Sequence, residues 1–134
     1  MKVDRETAEL DFQRFVESLN ISARKLENLE TEKDEFIKGI EYGNILIAED
    51  GSVSVKLDDP IEYEDNSEAI SEIRFIKRRV TVGEMESKMI GKSDMEKTRR
   101  IFAFLAKQNS AIFKKVQADD YFLISQVAAF FLPR

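Results

Sequence analysis

Residues 52–86 read SVSVKLDDPIEYEDNSEAISEIRFIKRRVTVGEME, and the fold turns on how they are parsed. Val53, Val55 and Leu57 alternate with Ser54 and Lys56, the period-two pattern of a strand with one buried face. Pro60 has no N–H for a strand ladder, so Asp58-Asp59-Pro60 is expected to break that strand. Ile61 and Tyr63 then share one face of a short extension, and a solvated acidic loop follows. A further strand is expected from Ile70 or Ser71 to Lys77, with Ile73 and Phe75 on one face and Arg74 and Ile76 on the other. Thr81-Val82-Gly83-Glu84 has the form of a capping box, so a helix opens at Thr81.

Working outward, Ile45–Ala48 is a short apolar run, and Asp50-Gly51 supplies a hairpin turn between it and the strand at 53–57. Upstream, Ala8, Phe12, Phe15, Val16 and Leu19 form one stripe of a helix over Arg5–Leu19, with Asp4 as N-cap. Ser22 could cap a short helix through Leu29. Thr31 is the better start for a helix carrying Phe36, Ile37 and Ile40 and stopped by Gly43.

Downstream, Ser93-Asp94-Met95-Glu96 is a second capping box. It opens a helix from Asp94 to about Gln108 whose buried stripe is Met95, Thr98, Ile101, Phe102 and Leu105. Phe104 lies off that stripe. Ser110–Val116 reads as a short helix, and Asp120–Leu132 as a final helix, capped by Ala118 or Asp119 and apolar nearly all round. The expected fold is α+β: one domain over 1–134, with a helical hairpin or arm at 1–43, a three-stranded antiparallel meander at 44–80, and a C-terminal helical bundle at 81–134.

The composition bounds the chemistry. The chain has 134 residues, 43% hydrophobic and 35% charged, with no His, Cys or Trp. That removes thiol chemistry, disulfides, Ser-His-Asp and Cys-His arrangements and the commonest metal ligands. Asp58/Asp59 and Asp119/Asp120 are the acidic pairs worth weighing; ending a strand and capping a helix account for them. The expectation is no enzyme, no cofactor and no metal site. No apolar run is long enough to span a bilayer and no leader is expected, which points to the cytoplasm.

Residues 1–70 carry 19 acidic and 8 basic side chains, and residues 71–134 carry 7 and 13. The halves either complement each other in the monomer or present charged surfaces to a partner or a second copy. Lys77-Arg78-Arg79 is either a solvated strand end or a docking patch. Together with Lys114-Lys115 it is the sole basis for nucleic-acid binding, which is not expected of an acidic chain lacking a basic aromatic stripe.

Residues 53–132 resemble the tail assembly chaperones of long-tailed phages of the Mu-like and P2-like kind. The resemblance is carried in order by Leu57, Pro60 and Ile61; an acidic loop; Ile73, Phe75, Arg78 and Arg79; Thr81, Gly83, Glu84 and Met85; and a last helix with Asp120, Val127, Phe130 and Phe131. Lys77 and the Asp-Asp before Pro60 depart from the usual pattern. The resemblance implies a non-enzymatic protein of the bacterial host cytoplasm that binds the tape measure protein, assists assembly of the tail tube protein and forms homo-oligomers. The partner-facing residues it suggests are Arg78, Arg79, Met85, Met89, Phe104, Phe130 and Phe131. The competing reading is a small acidic adaptor or regulator of the antitoxin or anti-defence type that binds a basic protein.

Overall fold

The computed structural model describes residues 2–62, 68–76 and 78–133. Three helices come first: α1 (Arg5–Leu19), α2 (Ala23–Glu27) and α3 (Glu30–Glu41). Asp4 accepts the Thr7 N–H at 2.7 Å to start α1, and Asn20 ends it in the left-handed conformation. Ser22 caps α2 by accepting the Lys25 N–H. The next helix starts at Glu30, one residue before the expected Thr31 and without a side-chain cap; Glu30 and Glu32 favour the positive end of its dipole. Gly43, at φ 82°, turns the chain into the sheet.

The sheet has three antiparallel strands in the order β1 (Ile45–Ile47), β2 (Val53–Ile61) and β3 (Ile70–Phe75), the expected meander. Asp50 accepts the Ser52 N–H within the β1–β2 turn, and Gly51 takes φ 89°. Ile45 pairs with Val55, and Val55 with Ile73; Val53 pairs with Phe75, so the apolar positions line one face. That face is covered by helices, which gives the α+β architecture. At Gly39 of α3 a methyl group would lie 2.4 Å from the Ile45 side chain, so α3 sits on β1 as closely as its backbone permits.

Asp58-Asp59-Pro60 does not end β2. The strand runs through Pro60 to Ile61, with a register shift against β3 between Lys56 and Ile61. The amides of Asp58 and Asp59 are taken by the two carboxylate oxygens of Asp120, at 3.0 and 3.1 Å, and Pro60 has no amide to place. Tyr63, residues 64–67 of the expected acidic loop and Lys77 lie outside the described residues.

The second half contains α4 (Val82–Lys88), α5 (Asp94–Ala106), a 3₁₀ helix (Ser110–Lys114) and α6 (Ala118–Ala128). Gln117, and neither Ala118 nor Asp119, is the N-cap of α6, which places Asp120 in the first turn, buried, where the helix dipole favours a carboxylate. At its other end the Lys25 ammonium donates to the carbonyls of Phe130 and Leu132, at 3.1 and 2.6 Å. Burial, with the nearby Arg79 charge, pulls the Lys25 pKa below its ordinary value.

Phe130 and Phe131 do not form an exposed interface. Both are fully buried: Phe130 lies 5.5 Å from Phe12 and Phe36, ring centre to ring centre, and Phe131 lies 5.6 Å from Phe15 and 5.5 Å from Phe75. Most of these pairs are edge-to-face, worth about 0.5–1.5 kcal/mol each beyond area burial. Met95 also departs from expectation, being 68% exposed, because the first turn of α5 overhangs the core and the buried stripe begins at Ile101. Phe130→Ala is expected to destabilise the chain by about 3–5 kcal/mol in urea unfolding, and Phe122→Ala, on the exposed face of α6, by about 0.5 kcal/mol or less. Equal losses would contradict this packing.

Candidate functional site

A cleft with both apolar and cationic lining lies between α4 and α5, and local capping fixes the start of each helix. Thr81 Oγ1 accepts the Glu84 N–H at 3.2 Å while the Glu84 carboxylate accepts the Thr81 N–H at 2.9 Å. Glu84 also pairs with Arg78. The Thr81 amide, with Arg78 adding to it, holds the Glu84 pKa below its ordinary value. At α5 the Ser93 hydroxyl accepts the Glu96 N–H, but Glu96 reaches the Lys92 amide in place of Ser93's own. The Lys92 amide, then Arg100 at 3.1 Å, lowers the Glu96 pKa as well.

The helices enclose a cleft of about 490 Å³. Its apolar surface comes from Ile76, Ile90, Ala103 and Phe104. Its cations are Arg78, Lys88, Arg100 and Lys107. Arg78 and Lys88 each lie 5.3 Å from the centre of the half-buried Phe104 ring, so one aromatic face organises charges from two different elements. Arg78 and Arg100 are balanced by Glu84 and Glu96; Lys88 and Lys107 form no ion pair among the described residues. The cleft therefore carries an excess of positive charge over an apolar base. Such a surface suits a segment with an apolar anchor flanked by carboxylates.

The residues expected to face a partner fall into three places. Arg78 and Phe104 meet in the cleft. Met85 and Met89 are on the same helix wall but half-buried against the core, and they support the cleft without lining it. Arg79 points elsewhere, donating to the Asn20 carbonyl at 3.4 Å beside Lys25, and Phe130 and Phe131 are core. Lys88, Ile90, Arg100 and Lys107 were not anticipated. Part of that set was legible: Arg100, Ala103, Phe104 and Lys107 stand at i, i+3, i+4 and i+7, one face of α5.

Charge stays segregated. Arg5 donates to Asp34 at 2.9 Å and pairs with Glu9 and Glu41, all within the acidic half. Arg74 to Asp50, at 3.2 Å, joins the two halves. Among the described residues no group of three His, Cys, Asp or Glu side chains could hold a metal ion, and no helix is long and apolar enough to cross a membrane. The buried Asp120 has both oxygens occupied by backbone amides.

No family model matches the chain, and none of the curated proteins or solved structures compared with it matches significantly.

The Thr81 amide reports the integrity of the α4 wall. Because Glu84 has a lowered folded pKa, its capping contribution is whole above pH 4.5 and is lost as the pH falls through the depressed value. The Thr81 amide proton resonance is expected to titrate with a midpoint below 4.5. No titration, or a midpoint at or above that value, would contradict the capping box.

Proposed function

We propose that this chain is a non-enzymatic assembly chaperone of a phage tail, which holds a helical segment of the tape measure protein in the α4–α5 cleft while tail tube protein assembles around it. The observation that carries this reading is the combination of Phe104, Ile76 and Ile90 with four cationic side chains in one open cleft. A long helical client with apolar stripes aggregates unless those stripes are covered. A cleft with an apolar base covers them, and a charged rim keeps the complex soluble and sets register. The Thr81-to-Met85 stretch that contributes to the resemblance opens the helix whose far end, at Ser87 and Lys88, lines this cleft. The reading needs no cofactor, and it places the protein in the bacterial host cytoplasm.

The segregated charge favours one other reading: a small acidic adaptor or regulator, of the antitoxin or anti-defence type, that engages a basic protein through α1 and α3. The two readings use different surfaces and separate by substitution.

The test is co-expression with tape measure fragments followed by affinity measurement. Wild-type protein is expected to keep a fragment soluble, and Phe104→Ala or Lys88→Glu to weaken binding about 10-fold or more with unchanged thermal stability. Phe130 is unsuited to this test because it is buried in the core and its loss acts on stability. A fragment that is neither bound nor solubilised, or cleft variants that bind as the wild type does, would overturn the proposal. Loss of binding to a basic partner on Glu6→Lys alone would favour the adaptor.

A further inference from the structure

A hollow of about 600 Å³ opens where the chain leaves α6. Lys25 of α2 and Arg79, between β3 and α4, supply its charge, and Val80, Thr81, Leu132 and Pro133 line the rest. It shares no lining residue with the α4–α5 cleft, so its use is independent of the client reading.

Holding the end of α6 accounts for Lys25 but not for Arg79. The Lys25 ammonium has three N–H donors, and two go to the carbonyls of Phe130 and Leu132. Burial first, and then the Arg79 charge, pulls the Lys25 pKa down, so the second cation works against the first. Arg79 has five donors, and among the described residues it makes one hydrogen bond, the 3.4 Å contact to the Asn20 carbonyl. Two like charges brought together from distant segments call for an anion between them. Among the described residues neither forms an ion pair. Glu27, two residues after Lys25, and Glu17, three before Asn20, pair with neither cation. Glu84, close to Thr81, is committed to the Thr81 amide and to Arg78.

We propose that this hollow binds a phosphate monoester whose ester group is apolar. A carboxylate would offset one of the two charges, whereas a phosphate monoester carries about −1.5 to −2 near neutral pH and has three strong acceptor oxygens. The Arg79 fork offers paired donors to two of those oxygens, and Lys25 offers its remaining N–H as a point charge. The Thr81 hydroxyl accepts the Glu84 N–H and keeps its own proton to donate. Val80, Leu132 and Pro133 are left to contact the carbon skeleton that bears the phosphate.

NMR titration of the full chain with butyl phosphate, inorganic phosphate and butyrate, at matched ionic strength, tests this. Butyl phosphate is expected to shift the Val80 and Leu132 methyl resonances and the Arg79 Nε–H resonance saturably. It is expected to bind about 10-fold or more tightly than the other two, because butyrate lacks the second charge and inorganic phosphate lacks the apolar group. Arg79→Ala is expected to weaken butyl phosphate binding about 10-fold or more, and Arg79→Lys to weaken it less, since it keeps the charge and loses the fork. Arg79 is exposed, and thermal melts unchanged from wild type confirm that both variants fold. Lys88→Glu, in the α4–α5 cleft, is expected to bind as wild type does. The absence of saturable shifts at Val80, Leu132 and Arg79 overturns the proposal, as does wild-type affinity in Arg79→Ala. Butyrate or inorganic phosphate binding as tightly as butyl phosphate also overturns it, the first assigning the hollow to carboxylates and the second to the free ion. Binding lost in Lys88→Glu and kept in Arg79→Ala would move the anion to the α4–α5 cleft and overturn it equally.

Discussion

Edge-to-face packing of phenylalanines from distant parts of the chain is the constraint on which the rest of this structure depends. Phe12 and Phe15 of α1, Phe36 of α3 and Phe130 just beyond α6 meet within 5.0 to 6.2 Å of one another, ring centre to ring centre. Phe131 extends the cluster to Phe75 on β3. Each ring is large enough that its burial is worth about 1.5–3 kcal/mol, and the T-shaped geometry adds direction to what is otherwise a non-directional force. The first and last helices are thereby tied to the sheet through one core. With that core spending its aromatic residues internally, Phe104 is left at the surface with cations around it.

Two polar contacts keep the last helix from sliding within that apolar cluster. Asp120 at its start grips two amides of β2, and Lys25 near the end of the first helical pair holds the carbonyls of Phe130 and Leu132. Hydrophobic contact alone tolerates a shift of one turn; charged groups bonded to specific backbone atoms do not. The same arrangement explains how a strand can run through Pro60. Its two preceding amides leave the ladder, yet neither is left without a partner.

What could be read from the sequence follows the range of the interactions involved. The strand pattern at Val53, Val55 and Leu57, the Asp50-Gly51 turn and the caps at Asp4, Thr81 and Ser93 are local, and each stands where the pattern placed it. The end of β2 was misjudged because the group that rescues Pro60 is Asp120, about sixty residues away. Phe130 and Phe131 read as an interface because their partners, Phe12, Phe15 and Phe36, lie some hundred residues upstream. In the candidate site, Arg78 and Phe104 were visible as a basic run and an off-stripe aromatic. The approach of Lys88 to the same ring depends on the angle at which α4 returns onto α5, which no periodicity encodes.

The cluster packs the N-terminal helices into the same hydrophobic core as the sheet and α6, and the α4–α5 cleft lies on the surface of that core. Native-state hydrogen exchange measures this most directly. Amides in the middle of α1, α3 and α6 are expected to exchange only through global unfolding, with one shared free energy that matches the value from denaturant melts. Exchange of α1 and α3 at a distinctly lower free energy than α6 would show an arm that opens by itself, and would contradict the single phenylalanine core.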